Sequence, residues 1–415
     1  MLRKSLMFVA ILSLLVFGAV VTGAADQVEI TFWHAMSSGH QPTLQALADE
    51  FMQAHPDIKV TLVYQGHYGD LSQKLLSAVA AGTPPVMAQM YEDWTMKFIE
   101  ADALVPLGPS ISQDVIDDIP QSFIDSNTYV VNGEKVLMTL PFNKSAMVLF
   151  YNTDLVKNPP KTWDELLQTA KDLTVDNDGD GTPDQYGFGI RPYTEFFINF
   201  FHQAGGKILN DDMTKCLINS PEGIQAMEYL LNLKQYSLYQ TSYLSGPFGN
   251  GKVAMYIGSS AGTPYVAKAS EGKHGWMTAA LPAGPKNGDG IIQGTNIGVF
   301  QLGTTQAQRD AAIEFAKFLI SKEATLQWAE ETGYLPIRKS VVASDEWKEF
   351  ITQHPEAEAS GQMALAGFVY PHHPNMYNIR QSIATAFEQV MLGKATPKEA
   401  LDAAAQEIDT EYLGE

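Results

Sequence analysis

Val28-Glu29-Ile30-Thr31-Phe32-Trp33-His34, then residues 41–55, then Ile58-Lys59-Val60-Thr61-Leu62-Val63-Tyr64 is the stretch that decides the fold. In its first and last segments apolar residues alternate with polar ones, the period of a strand with one buried face. Between them Leu44, Leu47, Ala48, Phe51 and Met52 recur at helical spacing, so one stripe of a helix faces a core. Strand, helix and strand in close succession make a β-α-β unit with parallel strands.

The same grammar extends outward. Asp70 is placed to cap a helix over 71–81 that Gly82 and Pro84 end, and residues 86–91 read as a buried strand. Residues 147–151, 253–257 and 297–300 are strand-like. Thr162-Trp163-Asp164-Glu165 and Thr396-Pro397-Lys398-Glu399 are capping boxes, Ser220-Pro221-Glu222 opens a helix with Pro at its first turn, and residues 306–328 read as one long amphipathic helix. Alternating strands and helices imply an α/β protein built on parallel units. No repeat and no low-complexity linker separates the two halves, so the chain is expected to cross between lobes several times.

Composition bounds the function. The 415 residues are long for one core, and 45% hydrophobic with 18% charged residues is globular. A formal net charge of -20 argues against nucleic acid and against docking on anionic lipid. The single cysteine, Cys216, makes no intramolecular disulfide and is expected as a small buried residue. Arg3 and Lys4, an apolar run over 6–21 and Thr22-Gly23-Ala24-Ala25 have the order of a secretory signal peptide cleaved after Ala24 or Ala25. The mature chain is therefore expected in the periplasm or outside the cell.

Phe32-Trp33-His34, Gly66-His67-Tyr68, Met90-Tyr91-Glu92, Pro141-Phe142-Asn143-Lys144-Ser145, Phe150-Tyr151-Asn152, Pro159-Pro160-Lys161-Thr162-Trp163 and Thr332-Gly333-Tyr334-Leu335-Pro336-Ile337 occur in this order. Together they resemble the family 1 extracellular solute-binding proteins of ABC importers, over nearly the whole mature chain. Within that family the likeness is to the branch that binds sn-glycerol-3-phosphate and glycerophosphodiesters. It is carried by Tyr68, Glu92, Asn143 to Ser145 and Asn375-Met376-Tyr377-Asn378-Ile379-Arg380. The resemblance implies a two-lobed α/β periplasmic-binding fold, with the ligand cleft between lobes and hinge crossings near 140–148, 288–294 and 334–336. Residues 1–25 would be the signal peptide, 26–140 plus 289–335 the first lobe, and 141–288 plus 336–415 the second. It also implies a monomeric non-enzyme that needs no cofactor and delivers its ligand to importer membrane subunits and their ATPase.

Carried over residue by residue, the family's ligand contacts fall on Tyr68, Glu92, Ser145, Ser259 or Ser260, Gly294, Tyr334 and Arg380. A carboxylate such as Glu92 accepts from two neighbouring hydroxyls, and the planar fork of Arg380 suits a phosphate. Tyr68 offers a ring face, the serines and Tyr334 neutral donors, and Gly294 a close-approaching backbone N–H. Singly, each has a blander reading as surface charge, turn glycine or packing ring; only their joint occurrence points to a pocket. The family carries a ligand-facing Trp where this chain reads residues 188–196 without one, and Tyr193 or Arg191 would stand in its place.

Asp176, Asp178, Asp180, Thr182 and Asp184 lie at positions 1, 3, 5, 7 and 9 of a calcium-loop pattern with Gly181 at 6, but Gly187 stands where a bidentate Glu belongs. The expectation is a structural Ca2+ away from the cleft, against a plain Asp/Gly turn. Two competing functions stay open. Trp33, Tyr68 and Trp94 could stack on a di- or oligosaccharide. A secreted phosphodiesterase would use Glu92 with His34 or His67 as acid and base. His372-His373 reads as an exposed loop pair.

Overall fold

The 28–64 unit folds as its periodicity requires in the computed structural model, which describes residues 27–414; the expected signal peptide, residues 1–25, lies outside the described residues. Thirteen strands are present among the described residues: β1 (Val28–His34), β2 (Ile58–Tyr64), β3 (Met87–Met90), β4 (Thr128–Val131), β5 (Glu134–Leu137), β6 (Leu140–Pro141), β7 (Ser145–Asn152), β8 (Phe188–Ile190), β9 (Ser237–Tyr239), β10 (Met255–Ser259), β11 (Trp276–Ala279), β12 (Ile292–Gln293) and β13 (Asn296–Val299). β1 pairs in parallel with β2 from Val28 opposite Ile58 to His34 opposite Tyr64. Helix α1 (Gln41–Ala54) makes the crossover and buries Leu44, Leu47, Ala48 and Phe51. Burying each such side chain contributes roughly 1.5–3 kcal/mol. Phe51 reaches Phe315 of the helix Gln306–Leu319, ring centroids 4.9 Å apart.

Two sheets form two lobes. The first runs β2-β1-β3-β13-β6 and the second β11-β7-β10-β8-β9, with β12 on β7. Only part of this is parallel: β13 runs antiparallel to β3 and β6, and β7 antiparallel to β10, β11 and β12. These antiparallel strands are the ones that enter from the other lobe, which single-lobe β-α-β logic does not foresee. The crossings follow from the pairing. The chain leaves the first sheet at Pro141 and joins the second at Ser145. It leaves β7's edge at Gln293 and re-enters the first sheet at Asn296. A third contact comes where Leu335 N–H donates to the Lys144 carbonyl at 2.7 Å.

Three sequence expectations are corrected. Residues 306–328 are not one helix: the first ends at Leu319, and Ser321 caps a second, Lys322–Thr332, accepting from the Ala324 N–H at 3.2 Å. The hydroxyl offers the backbone a competing partner, and the chain turns there. Asp70 is not the cap of α2 (Tyr68–Ala80) but sits one turn in, accepting from the His67 N–H at 2.9 Å. His372 is not in an exposed loop: its ring stacks on Tyr129 at 4.6 Å. No described helix is long and apolar enough to cross a membrane.

Candidate functional site

Helix α3 (Glu92–Glu100) starts immediately after β3, so Tyr91, Glu92 and Asp93 stand at the carboxyl end of a strand, where open α/β sheets place ligands. Against them from the other lobe come Glu195, Tyr370, Met376 and Arg380, with Gln293 and Gly294 of the second crossing between. These residues line a cavity of about 30 Å3. That is room for a water or two.

Three of the residues singled out from sequence meet here: Glu92, Gly294 and Arg380. Glu92 Oε1 accepts from Lys144 Nζ at 3.1 Å and from Asn296 Nδ2 at 3.0 Å. Burial alone would raise its carboxyl, but the Lys144 ammonium and the Asn296 amide outweigh that and hold it below the usual range. No hydrogen bond to Oε2 occurs among the described residues. Gly294 has φ +98, and a Cβ there would lie 1.9 Å from the Asn143 carbonyl oxygen. Glycine is thus demanded by the contact of two crossings as much as by any ligand. Arg380 Nη2 pairs with Glu195 Oε1, which also accepts from the Tyr370 hydroxyl at 3.3 Å. The guanidinium lies over the Tyr370 ring, 4.8 Å from its centroid, and its Nε–H is buried without a partner.

The other expected contacts do not line this cavity, and Tyr334 lines a second one, of about 150 Å3, with Thr263, Trp347 and Phe350. Tyr68 accepts from Asn143 Nδ2 at 2.9 Å and meets Tyr91 edge-on at 5.2 Å. Tyr334 stacks on Trp328 at 5.6 Å, and its buried hydroxyl faces Asn143 and Tyr68. Ser145 opens β7 opposite Gln293 and is buried. Ser259 accepts from the Ala261 N–H at 3.3 Å, within its own turn, and Ser260 from the Ala146 N–H of β7 at 3.4 Å, so both hydroxyls serve backbone. Tyr193 directs its hydroxyl at Met147 Sδ, 3.5 Å away, with the Arg191 guanidinium 5.2 Å from its ring. Trp94 is buried in the first lobe against Tyr91. His34 is buried too, and burial pushes its imidazole down to about 4.

Of four residues at the site, sequence reasoning missed Asp93, Glu195 and Tyr370, and gave Lys144, inside the family-like stretch Asn143 to Ser145, no role of its own. Burial first, and the Glu92 charge second among the opposing effects, raise Asp93 to about 6 even though Arg380 pulls it down. A signal for two of the four existed. Lys144 stands alone in an apolar run and Glu195 alone in Thr194-Glu195-Phe196-Phe197, and isolated charges in apolar segments are rarely buried without a partner.

Asp176, Asp178 and Asp184 each bring one carboxylate oxygen within 4.8 Å of the others, all exposed. Gly179 and Gly181 N–H donate to Asp176 at 2.8 and 2.9 Å, and Asp180 Oδ1 is turned to the Thr182 N–H at 2.7 Å. The three converging hard oxygens suit calcium, while Asp180 is not in that group.

The family described as bacterial extracellular solute-binding protein matches residues 46–359. The sn-glycerol-3-phosphate-binding periplasmic protein of Escherichia coli K12 is 27% identical over 95% of this chain and 95% of its own length. That of Pectobacterium atrosepticum is 27% identical over 94% and 92%. Among solved structures, the acarbose receptor GacH of Streptomyces glaucescens superposes with a TM-score of 0.81 at 20% identity, over 94% of this chain and 99% of that one. UgpB of Mycobacterium tuberculosis, solved with glycerophosphocholine, gives 0.77 at 17% identity, over 92% and 98%.

Proposed function

Because this chain belongs to the family of bacterial extracellular solute-binding proteins, whose members bind rather than transform their solutes, we propose that it captures sn-glycerol-3-phosphate or a glycerophosphodiester and delivers it to an ABC importer. Supporting the ligand class are the sn-glycerol-3-phosphate binding of the 27% identical relatives and one observation of geometry. Residues distant in sequence bring a carboxylate with one uncommitted oxygen, Glu92, and a guanidinium with a buried, unpartnered N–H, Arg380, to the same small cavity. The carboxylate accepts from the hydroxyls of a glycerol end, and the guanidinium donates to phosphate oxygens.

A cavity of about 30 Å3 does not hold such a ligand, so the lobes part about the crossings to admit it and close again over it. Closure is what importer membrane subunits read. The protein acts as a secreted monomer of the periplasm or cell exterior, released by cleavage of its N-terminal signal. Calcium in the Asp176–Asp184 loop has a structural role only.

Calorimetric titration with glycerol-3-phosphate, glycerophosphocholine and maltose in parallel tests this reading. A response to either phosphate and silence from the sugar is expected. A sugar response alone would keep the importer role and move the ligand to carbohydrates.

A further inference from the structure

Lys144 lies in Pro141-Phe142-Asn143-Lys144-Ser145-Ala146-Met147-Val148-Leu149-Phe150, where it is the sole charge. Its side chain is 1% exposed. An ammonium removed from water this fully demands partners, and its partners come from every part of the hinge. Its Nζ donates to Glu92 Oε1 at 3.1 Å and to the Gly294 carbonyl of the second crossing at 3.4 Å. Its own carbonyl accepts from Leu335 of the third crossing at 2.7 Å. Glu92 is held in turn by Asn296, the first residue past the second crossing.

We propose that Lys144 is the positioning residue of the cleft: it clamps the Glu92 carboxylate to all three crossings, so that a hydroxyl bound at Glu92 biases the hinge toward closure. The ligand half of this proposal rests on the reading above; the clamp does not. Lys144 lies behind Glu92 and is absent from the cavity lining. It acts by fixing which oxygen of Glu92 is committed and which is offered, and by keeping the carboxylate ionised.

Other groups face Glu92 and share in its titration. Asp93 adjoins it on α3, Asn296 comes from β13, Tyr129 from β4 and His372 from the segment stacked on Tyr129. A change of pH profile is therefore read as a difference between variant and parent, not from the parent alone.

The test is a melting cycle of the mature protein, its Lys144→Met and Glu92→Gln variants and the double variant, at pH 5 and pH 8, without ligand. Lys144→Met is expected to melt roughly 5–10 °C lower at pH 8, because it strands a buried carboxylate, and to recover much of that at pH 5 as Glu92 takes up a proton. The double variant should melt above Lys144→Met. Calorimetry with glycerophosphocholine, whose phosphodiester does not titrate in this range, should show at least tenfold weaker binding to Lys144→Met at pH 8. A deficit equal at both pH values, unrelieved in the double variant, would reduce Lys144 to core filling and overturn the clamp. Binding within threefold of the parent would overturn its link to the ligand. A coupled melting cycle in a protein that ignores both phosphate ligands would uphold the clamp and reject the ligand assignment.

Discussion

Two ion pairs face each other across the cleft, and they are built on opposite plans. Glu92 and Lys144 belong to the first lobe and hinge; the lysine is 1% exposed and the glutamate 18%. Glu195 and Arg380 belong to the second lobe, 10% and 24% exposed. In the first pair the cation is enclosed and the carboxylate, which lines the cavity, keeps Oε2 without a hydrogen bond among the described residues. In the second, one carboxylate oxygen, Glu195 Oε1, takes both Arg380 and the Tyr370 hydroxyl, and the cation keeps an unused N–H. Each pair leaves a directional group at the cavity, the acceptor Glu92 on one side and the donor Arg380 on the other. One wall of the cleft is therefore an acceptor and the other a donor, which a molecule with hydroxyls at one end and an anion at the other satisfies in a single orientation. Neither pair is by itself a source of stability, since desolvation offsets much of the attraction. What they supply is placement.

The largest expected effect breaks the donor wall. Arg380→Ala should weaken glycerophosphocholine binding by about 2–5 kcal/mol in calorimetry, because the phosphate loses its charged partner and Glu195 is left unpaired. A loss below tenfold would mean the anion is held elsewhere. Breaking the acceptor wall costs less. Glu92→Gln keeps one oxygen and should lose about 1.5–3 kcal/mol for ligands with a free glycerol end. A phosphodiester without vicinal hydroxyls should bind variant and parent alike; equal loss for both would detach Glu92 from the glycerol end.

Asp93 sharpens the comparison, because it stands beside both pairs. Its folded-state carboxyl is raised to about 6, so the stability it contributes is present in acid and lost as pH rises from its ordinary range through that value. Asp93→Asn should therefore melt higher than the parent at pH 7 and no higher at pH 4, by up to about 3 kcal/mol. A bound phosphodiester also prefers the neutral acid, so parent affinity should rise as pH falls through about 6 and the variant's should not. A variant that titrates like the parent would assign the effect to another group. The smallest effect lies outside the cleft. Calcium should raise the melting temperature by a few degrees through Asp176, Asp178 and Asp184, with ligand affinity unchanged, and EDTA should reverse it. No response to either would leave the loop a turn.

Local physics was readable in advance. Thr396 accepts from the Glu399 N–H at 3.3 Å while Glu399 reaches back to the Thr396 N–H at 3.0 Å, and Thr162 caps its helix through the Glu165 N–H at 3.2 Å. These motifs close within one turn and need nothing from the rest of the chain. The break at Ser321 was missed because apolar spacing continues through it. Cys216 is buried as its composition suggests, its thiol pushed up to about 12 by burial. Of the cleft, the resemblance pointed to Glu92, Gly294 and Arg380. It did not point to Asp93, Glu195 or Tyr370, and it held Lys144 only as part of a segment, because a charge's partner lies tens or hundreds of positions away.

Alternating and helical periods, caps, an acidic surface and the sequence of family-like segments were determined by the chain alone, since each depends on neighbours a few residues apart. Which lobe each strand joins, the antiparallel entry of β13 into the first sheet, and the pairing of Lys144 with Glu92 and of Arg380 with Glu195 were decided only by tertiary structure. The reason is physical. A buried charge takes its meaning from the atom that replaces its water, and that atom is chosen by how three crossings pack, not by what stands beside it in sequence.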